Sequence, residues 1–256
     1  MQERQNVVVV GYPRSGNTWL ARLLGNALNS PVTGLKKAMP LANEGKDRPG
    51  PYWVRQLHLH PHAGPCEHKV ALVNAGTFCL DNWRDERIAF IVRDPRDVAV
   101  SAASYWHMPL AKTVRRMKDA KFPMGFGPWS KFVRDWLHVY KNNVDHRMIV
   151  VKYEALNEDT VAILGAALAM LDLEPVKPLE QVAAEESIEA KRKQVMKDGD
   201  QRPYGKDIQL HHLRKGIVGD WKNWDWSSIG PFADETFGPT MDLLGYEREE
   251  NWWSSR

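Results

Sequence analysis

The sequence predicts an α/β protein, three layers with a central parallel sheet between helices, and three apolar runs carry that expectation. Val7-Val8-Val9-Val10, Ile88-Ala89-Phe90-Ile91-Val92 and Met148-Ile149-Val150-Val151 are short, unbroken and rich in β-branched residues. Strands covered by helices on both faces read this way, without the alternation of a half-exposed sheet. Segments with apolar residues three and four apart lie between these runs and supply the helices. At 256 residues the chain is read as one domain, 1–256, long enough to bury a sizeable core.

The first strand leads into Gly11-Tyr12-Pro13-Arg14-Ser15-Gly16-Asn17-Thr18-Trp19-Leu20, a glycine-bearing turn that opens a helix over about 18–28. Strand, turn and helix N-terminus make an anion site, because unpaired backbone N–H groups and the helix dipole converge there. A nucleoside-triphosphate P-loop of the form G-x-x-x-x-G-K-[ST] would place lysine next to the second glycine. Gly11, Gly16 and Thr18 fit that spacing, but Asn17 holds the lysine position and the cation of the loop is Arg14. The cradle is kept and the charge is moved, which argues against ordinary ATP or GTP hydrolysis.

Residues 31–51 read as an exposed loop, rich in Gly, Pro, Lys and Asp. A second strand is expected over Tyr52–Pro61, with Gln56, His58 and His60 on one face and Trp53, Arg55, Leu57 and Leu59 on the other. Ligands in an open α/β sheet sit beyond the carboxyl ends of strands, so a histidine there is placed to act as a general base. His58 and His60 are the candidates. Metal binding by His58, His60, His62 and His68 is the competing reading, and no acidic or cysteine partner stands at ligand spacing beside them.

Ile88–Val92 is followed by Arg93-Asp94-Pro95-Arg96-Asp97-Val98-Ala99-Val100-Ser101. Pro95 suits the first helical turn, and Arg93 with Ser101 would hold one phosphate between a guanidinium and a hydroxyl. A bland alternative is a salt-bridged helix cap, with Asp94 and Asp97 pairing Arg93 and Arg96. Helices are expected over 111–121, 129–141 and 158–171. The second carries a core stripe of Trp129, Phe132, Val133, Trp136 and Tyr140. Met148–Glu154 is the third strand. Near the C-terminus His211-His212-Leu213-Arg214-Lys215-Gly216-Ile217-Val218-Gly219-Asp220-Trp221-Lys222-Asn223 puts two cations before a glycine, a loop suited to wrapping an anion.

Taken together these stretches resemble the sulfotransferases that use 3′-phosphoadenosine 5′-phosphosulfate (PAPS), whose fold is P-loop-NTPase-like. Tyr12 to Trp19 is similar to their 5′-phosphosulfate loop, usually written with Lys where Arg14 stands, and arginine keeps the charge while adding a planar fork. Arg93 through Ser101 resembles their 3′-phosphate motif, and Arg214 through Asn223 matches every specified position of their Arg-Lys-Gly-x-x-Gly-Asp-Trp-Lys-Asn segment. The resemblance implies a donor site of Arg14, Ser15, Gly16, Asn17, Thr18, Trp19, Arg93, Ser101, Tyr153, Ser187, Arg214, Lys215 and Gly216, with Trp19 and Tyr153 toward the adenine. It implies His58 or His60 as base and Arg14 as the cation on the leaving phosphate. Gln56-Leu57-His58-Leu59 departs from the family's Lys-Thr-His-Leu in lacking the lysine. The product would be 3′-phosphoadenosine 5′-phosphate (PAP), and no metal is required, since a sulfuryl group carries one charge fewer than a phosphoryl group.

Composition sets the outer bounds. A net charge of +3 and a pI near 8.8 are too mild to imply nucleic acid. Cys66 and Cys79 form no disulfide framework, no apolar run approaches ~18 residues, and a cytoplasmic protein without a membrane span is expected. The acceptor is read as a small-molecule, sugar or lipid hydroxyl. Residues 31–51, 107–128 and 196–210, with Trp53, Trp106, Phe122 and Phe126, are expected to line its pocket. A P-loop-like kinase using Asp94 for magnesium, and a non-catalytic nucleotide-binding protein, are the alternatives.

Overall fold

A computed structural model describes residues 4–33, 44–58, 60–62, 77–79, 86–119, 127–142, 147–198 and 216–254. The strands are β1 Gln5–Gly11, β2 Val32–Thr33, β3 Tyr52–Leu57, β4 His60–His62, β5 Thr77–Cys79, β6 Arg87–Val92 and β7 Arg147–Lys152. Five of them form a wholly parallel sheet in the order β2-β3-β1-β6-β7. The helices are α1 Asn17–Ala27, α2 Pro95–Tyr105, α3 Leu110–Lys118, α4 Trp129–Asn142, α5 Tyr153–Glu158, α6 Thr160–Met170, α7 Leu179–Glu185, α8 Ile188–Asp198 and α9 Gly230–Leu243.

The pleat sorts the four valines of β1 between two cores. Val8 and Val10 join Phe90, Phe132, Trp136 and Phe237 beneath α2, α3, α4 and α9. Val7 and Val9 join Leu20, Leu24, Leu164 and Val182 beneath α1, α6 and α7. Each valine is wholly buried, as a strand between two helical layers requires. The α/β/α expectation holds.

Several boundaries differ from the sequence reading. The strand expected over Tyr52–Pro61 stops at Leu57, because β1, its neighbour, turns away after Gly11 and leaves nothing to pair with. His60 then starts a separate parallel pair, β4 with β5. Tyr153 opens α5 instead of ending β7, and the helix expected over 158–171 is α6, set off from α5 by Asp159, which caps it through the N–H of Ala162. In α4 the stripe Trp129, Phe132, Val133 and Trp136 is buried, but it continues to Val139 while Tyr140 is exposed. At 100° per residue only one of two adjacent positions in the last turn can face the core.

Candidate active site

Four strands deliver residues to one edge of the sheet. The carboxyl ends of β1, β3, β6 and β7 present Gly11, His58, Arg93 and Tyr153, in the crevice where open α/β sheets bind ligands.

The loop after β1 is tightly specified. Gly16 sits at φ 98°, where L side chains are strained, and an added Cβ would press on the Tyr153 ring. Arg14 also adopts a positive φ of 70°, an uncommon state for a residue with a side chain. Asn17 turns inward, its Nδ2 donating to the Tyr12 carbonyl at 2.9 Å, so it braces the loop where a lysine would have reached outward. No side chain caps α1, and the Ser15 hydroxyl is buried with no partner among the described residues. Both fit an anion's oxygens in this cradle.

Arg14 ties this loop to the segment that follows β6. Its Nε donates to the Ser101 hydroxyl at 3.1 Å, and its guanidinium lies 4.4 Å from the centre of the Tyr105 ring. Arg93 and Ser101 are both buried, at 6% and 5% exposure, so a charge beside them meets little competing water. Arg93 donates to the carbonyls of Ile217 at 2.9 Å and Arg14 at 3.4 Å, packs 4.2 Å over the Tyr153 ring, and pairs with Asp97 at 3.5 Å. Its Nε has no partner among the described residues. Asp97 in turn accepts the backbone N–H groups of Gly219 at 2.8 Å and Trp221 at 2.9 Å, anchoring the chain that follows Gly216. Burial raises the Asp97 acid, against the pull of Arg93 and both N–H donors.

Toward β7 an aromatic corner forms. Trp19 meets Tyr153 edge to face at 5.7 Å, and its Nε1 donates to the Glu186 carbonyl at 3.1 Å, next to Ser187. Tyr153 donates to the Gly216 carbonyl at 3.1 Å, and Gly216 packs on Ile188 closely enough that no Cβ would fit. Ser187 accepts the N–H of Ala190 at 3.2 Å. Arg214 and Lys215 lie outside the described residues.

His58 is the first residue past β3, half-buried beside the β1 loop. Its Nδ1 lies 2.7 Å from the Gly11 carbonyl and its Nε2 3.1 Å from Gln56 Nε2. Burial lowers its pKa to about 4; the Gly11 carbonyl opposes this and Arg14 adds to it. The ring is therefore neutral at pH 7, the state a proton acceptor needs. The side chain of His60 lies outside the described residues.

The Mg²⁺ carboxylate of a kinase is engaged elsewhere. Asp94 caps α2 through the N–H of Arg96 at 2.8 Å, and its carboxylate pairs with the Arg96 guanidinium at 2.6 Å. The Arg-Asp-Pro-Arg-Asp segment is thus a salt-bridged cap that leaves Arg93 beside Ser101. Trp53 is misplaced as an acceptor contact: it pairs with Asn6 at the amino end of the sheet, five residues or about 16 Å from His58. Phe122 and Phe126 lie outside the described residues. Sequence reasoning missed the loop anchor of Asp97 and the aromatic seat Tyr105 gives Arg14. Among the described residues no group of three or more His, Cys, Asp or Glu could hold a metal ion.

Comparison with known proteins decides the family. The family model described as "Sulfotransferase domain" matches residues 83–245, more than half of the chain. The chain belongs to the sulfotransferase family. It is an enzyme of sulfuryl transfer. Mouse Sulfotransferase 1B1 is 24% identical over 254 residues, covering 86% of this chain and 77% of the relative. Among solved structures, mouse sulfotransferase SULT7A1 complexed with PAP superposes with a TM-score of 0.67 at 21% identity, covering 93% of this chain and 84% of that one. Retinol dehydratase in a complex with retinol and PAP gives 0.64 at 16% identity, with 93% and 82% covered. Within this sulfotransferase the matched span includes Arg93, Ser101, Tyr153 and Gly216, while the β1 loop and His58 precede it. No helix among the described residues is long and apolar enough to cross a membrane.

Proposed function

We propose that the enzyme moves the sulfuryl group of PAPS to a hydroxyl acceptor, with residues 1–256 acting as one catalytic domain. The observation that carries this reading is the meeting of the β1 and β6 ends, bridged by the Arg14–Ser101 hydrogen bond and flanked by a neutral His58, which suits two neighbouring anionic groups. The β1 loop would hold the 5′ end through Ser15, Gly16 and the start of α1. Arg93 and Ser101 would hold the 3′-phosphate, with Arg214, Lys215 and Gly216 closing over it. Trp19 and Tyr153, with Ser187 behind them, would border the adenine.

The bound donor supplies the sulfuryl group, whose bond to the 5′-phosphate oxygen breaks as the acceptor oxygen bonds to sulfur. Arg14 neutralises the charge left on that phosphate, from a position already fixed by Ser101 and Tyr105. His58 takes the acceptor's proton at Nε2, while Nδ1 stays with the Gly11 carbonyl. His60, which starts a different sheet, is not given that role. PAP in the SULT7A1 and retinol dehydratase structures supports the donor, and the retinol of the latter supports a small hydroxyl acceptor. Two cysteines in the whole chain support a reducing, cytoplasmic setting.

The test is calorimetric titration of PAP without magnesium, with 5′-AMP and ATP as comparisons. Tight binding that needs the 3′-phosphate is expected, and preference for Mg-ATP would overturn the reading. His58→Ala should keep PAP affinity and lose turnover.

A further inference from the structure

We infer that Gln56 is a positioning residue for His58: its amide, held by the Thr18 hydroxyl, fixes the ring with Nε2 as the proton-accepting atom. The inference rests on the reading of His58 as the base.

Hydrogen-bond logic sets every group in this chain. The Gly11 carbonyl, 2.7 Å from Nδ1, has no proton to give, so Nδ1 carries the hydrogen. A neutral imidazole then presents a lone pair at Nε2, and the Gln56 NH₂ group 3.1 Å away donates to it. The Gln56 oxygen is left facing the Thr18 hydroxyl at 3.1 Å, which donates in turn. Thr18 belongs to the first turn of α1, so the tether runs from the donor loop through β3 to the base.

Residue type matters here. Glutamine offers a donor and an acceptor on one rigid amide; lysine has donors only, and a carboxylate has acceptors only. A charged ring would set an Nε2–H against the Gln56 N–H, and relieving that clash requires the amide to turn over and the Thr18 hydroxyl to accept where it had donated. Among the described residues the charged group acting on the ring is Arg14 from the donor loop, and Gln56 from β3 and behind it Thr18 from α1 are neutral. An incoming hydroxyl takes over the Nε2 lone pair from the Gln56 N–H and finds the ring already aimed.

The experiment is long-range ¹H–¹⁵N spectroscopy of the histidine rings in the whole, ligand-free protein, with His58→Asn to assign the resonance. The wild type should show Nδ1 protonated and Nε2 bare. Gln56→Ala should leave Nδ1 protonated on the Gly11 carbonyl, shift the Nε2 resonance by removing its donor, and lower kcat about tenfold, with the donor KM nearly unchanged. Gln56→Glu should protonate Nε2, raise the pH at which His58 titrates, and lower kcat at neutral pH. A wild-type ring protonated on Nε2 overturns the inference even if no variant folds. Unmoved His58 resonances in both variants overturn it as well. Turnover surviving in His58→Asn, with the ring pattern intact, overturns the base reading and leaves the Gln56 tether standing.

Discussion

Replacing Asp97 by asparagine tests whether the chain after Gly216 belongs to the nucleotide site. The carboxylate of Asp97, itself only 1% exposed, accepts two backbone N–H groups, from Gly219 and Trp221, and faces Arg93 at 3.5 Å. Asparagine keeps one carbonyl oxygen and points its NH₂ at the other N–H, leaving a buried donor unpaired at a cost of about 1–3 kcal/mol. Arg93 keeps Ile217, Arg14 and the Tyr153 ring, so it is not stranded. Because burial raises the Asp97 acid despite its partners, part of the loss is offset by removing a costly buried charge. The net expectation is about 2 kcal/mol, or a fall of about 4–8 °C in melting temperature for a chain of this size. The same loosening frees the segment whose carbonyls hold Arg93 and Tyr153, so PAP affinity should fall by about tenfold or more. Calorimetric titration beside a thermal melt measures both. An unchanged melt refutes the hydrogen-bond argument; a lowered melt with unchanged PAP affinity refutes the role of the 216–221 segment in binding.

Two further outcomes follow from the same geometry. Gly16→Ala forces a side chain to φ 98° and a Cβ against Tyr153; a stability loss of about 2 kcal/mol or more and at least tenfold weaker PAP binding are expected. Titrating stability against pH should expose His58. Its folded pKa of about 4 lies below the ordinary 6.5, so the unfolded chain takes up a proton first as pH falls. Its contribution is full above pH 6.5 and is lost toward pH 4, at most about 2 kcal/mol between pH 7 and pH 5. The His58→Asn protein should lack that slope, and the acid limb of wild-type kcat/KM should fall near 4 rather than 6.5.

The sequence by itself determined what local chemistry controls. Unbroken valine and isoleucine runs can be strands between two helical layers, Gly16 is needed where the backbone turns left-handed, and Asp94-Pro95 is a local helix-start signal that opens α2. Arg14 was legible as the displaced cation because the loop's spacing is contiguous in the chain. Tertiary structure decided what depends on neighbours far away in the chain. Where β3 stops is set by the end of β1, and that choice put His58 at the edge and His60 in another sheet. Register sent Trp53 to the wrong end of the sheet, although its residue type suited a pocket. Arg14 meets Ser101 across 87 residues and Asp97 holds Gly219 across 122, contacts that no local period encodes. Hydrophobic patterning specifies which face of an element is buried, but pairing across a parallel sheet is long-range, and the reacting edge exists only once the strands are side by side.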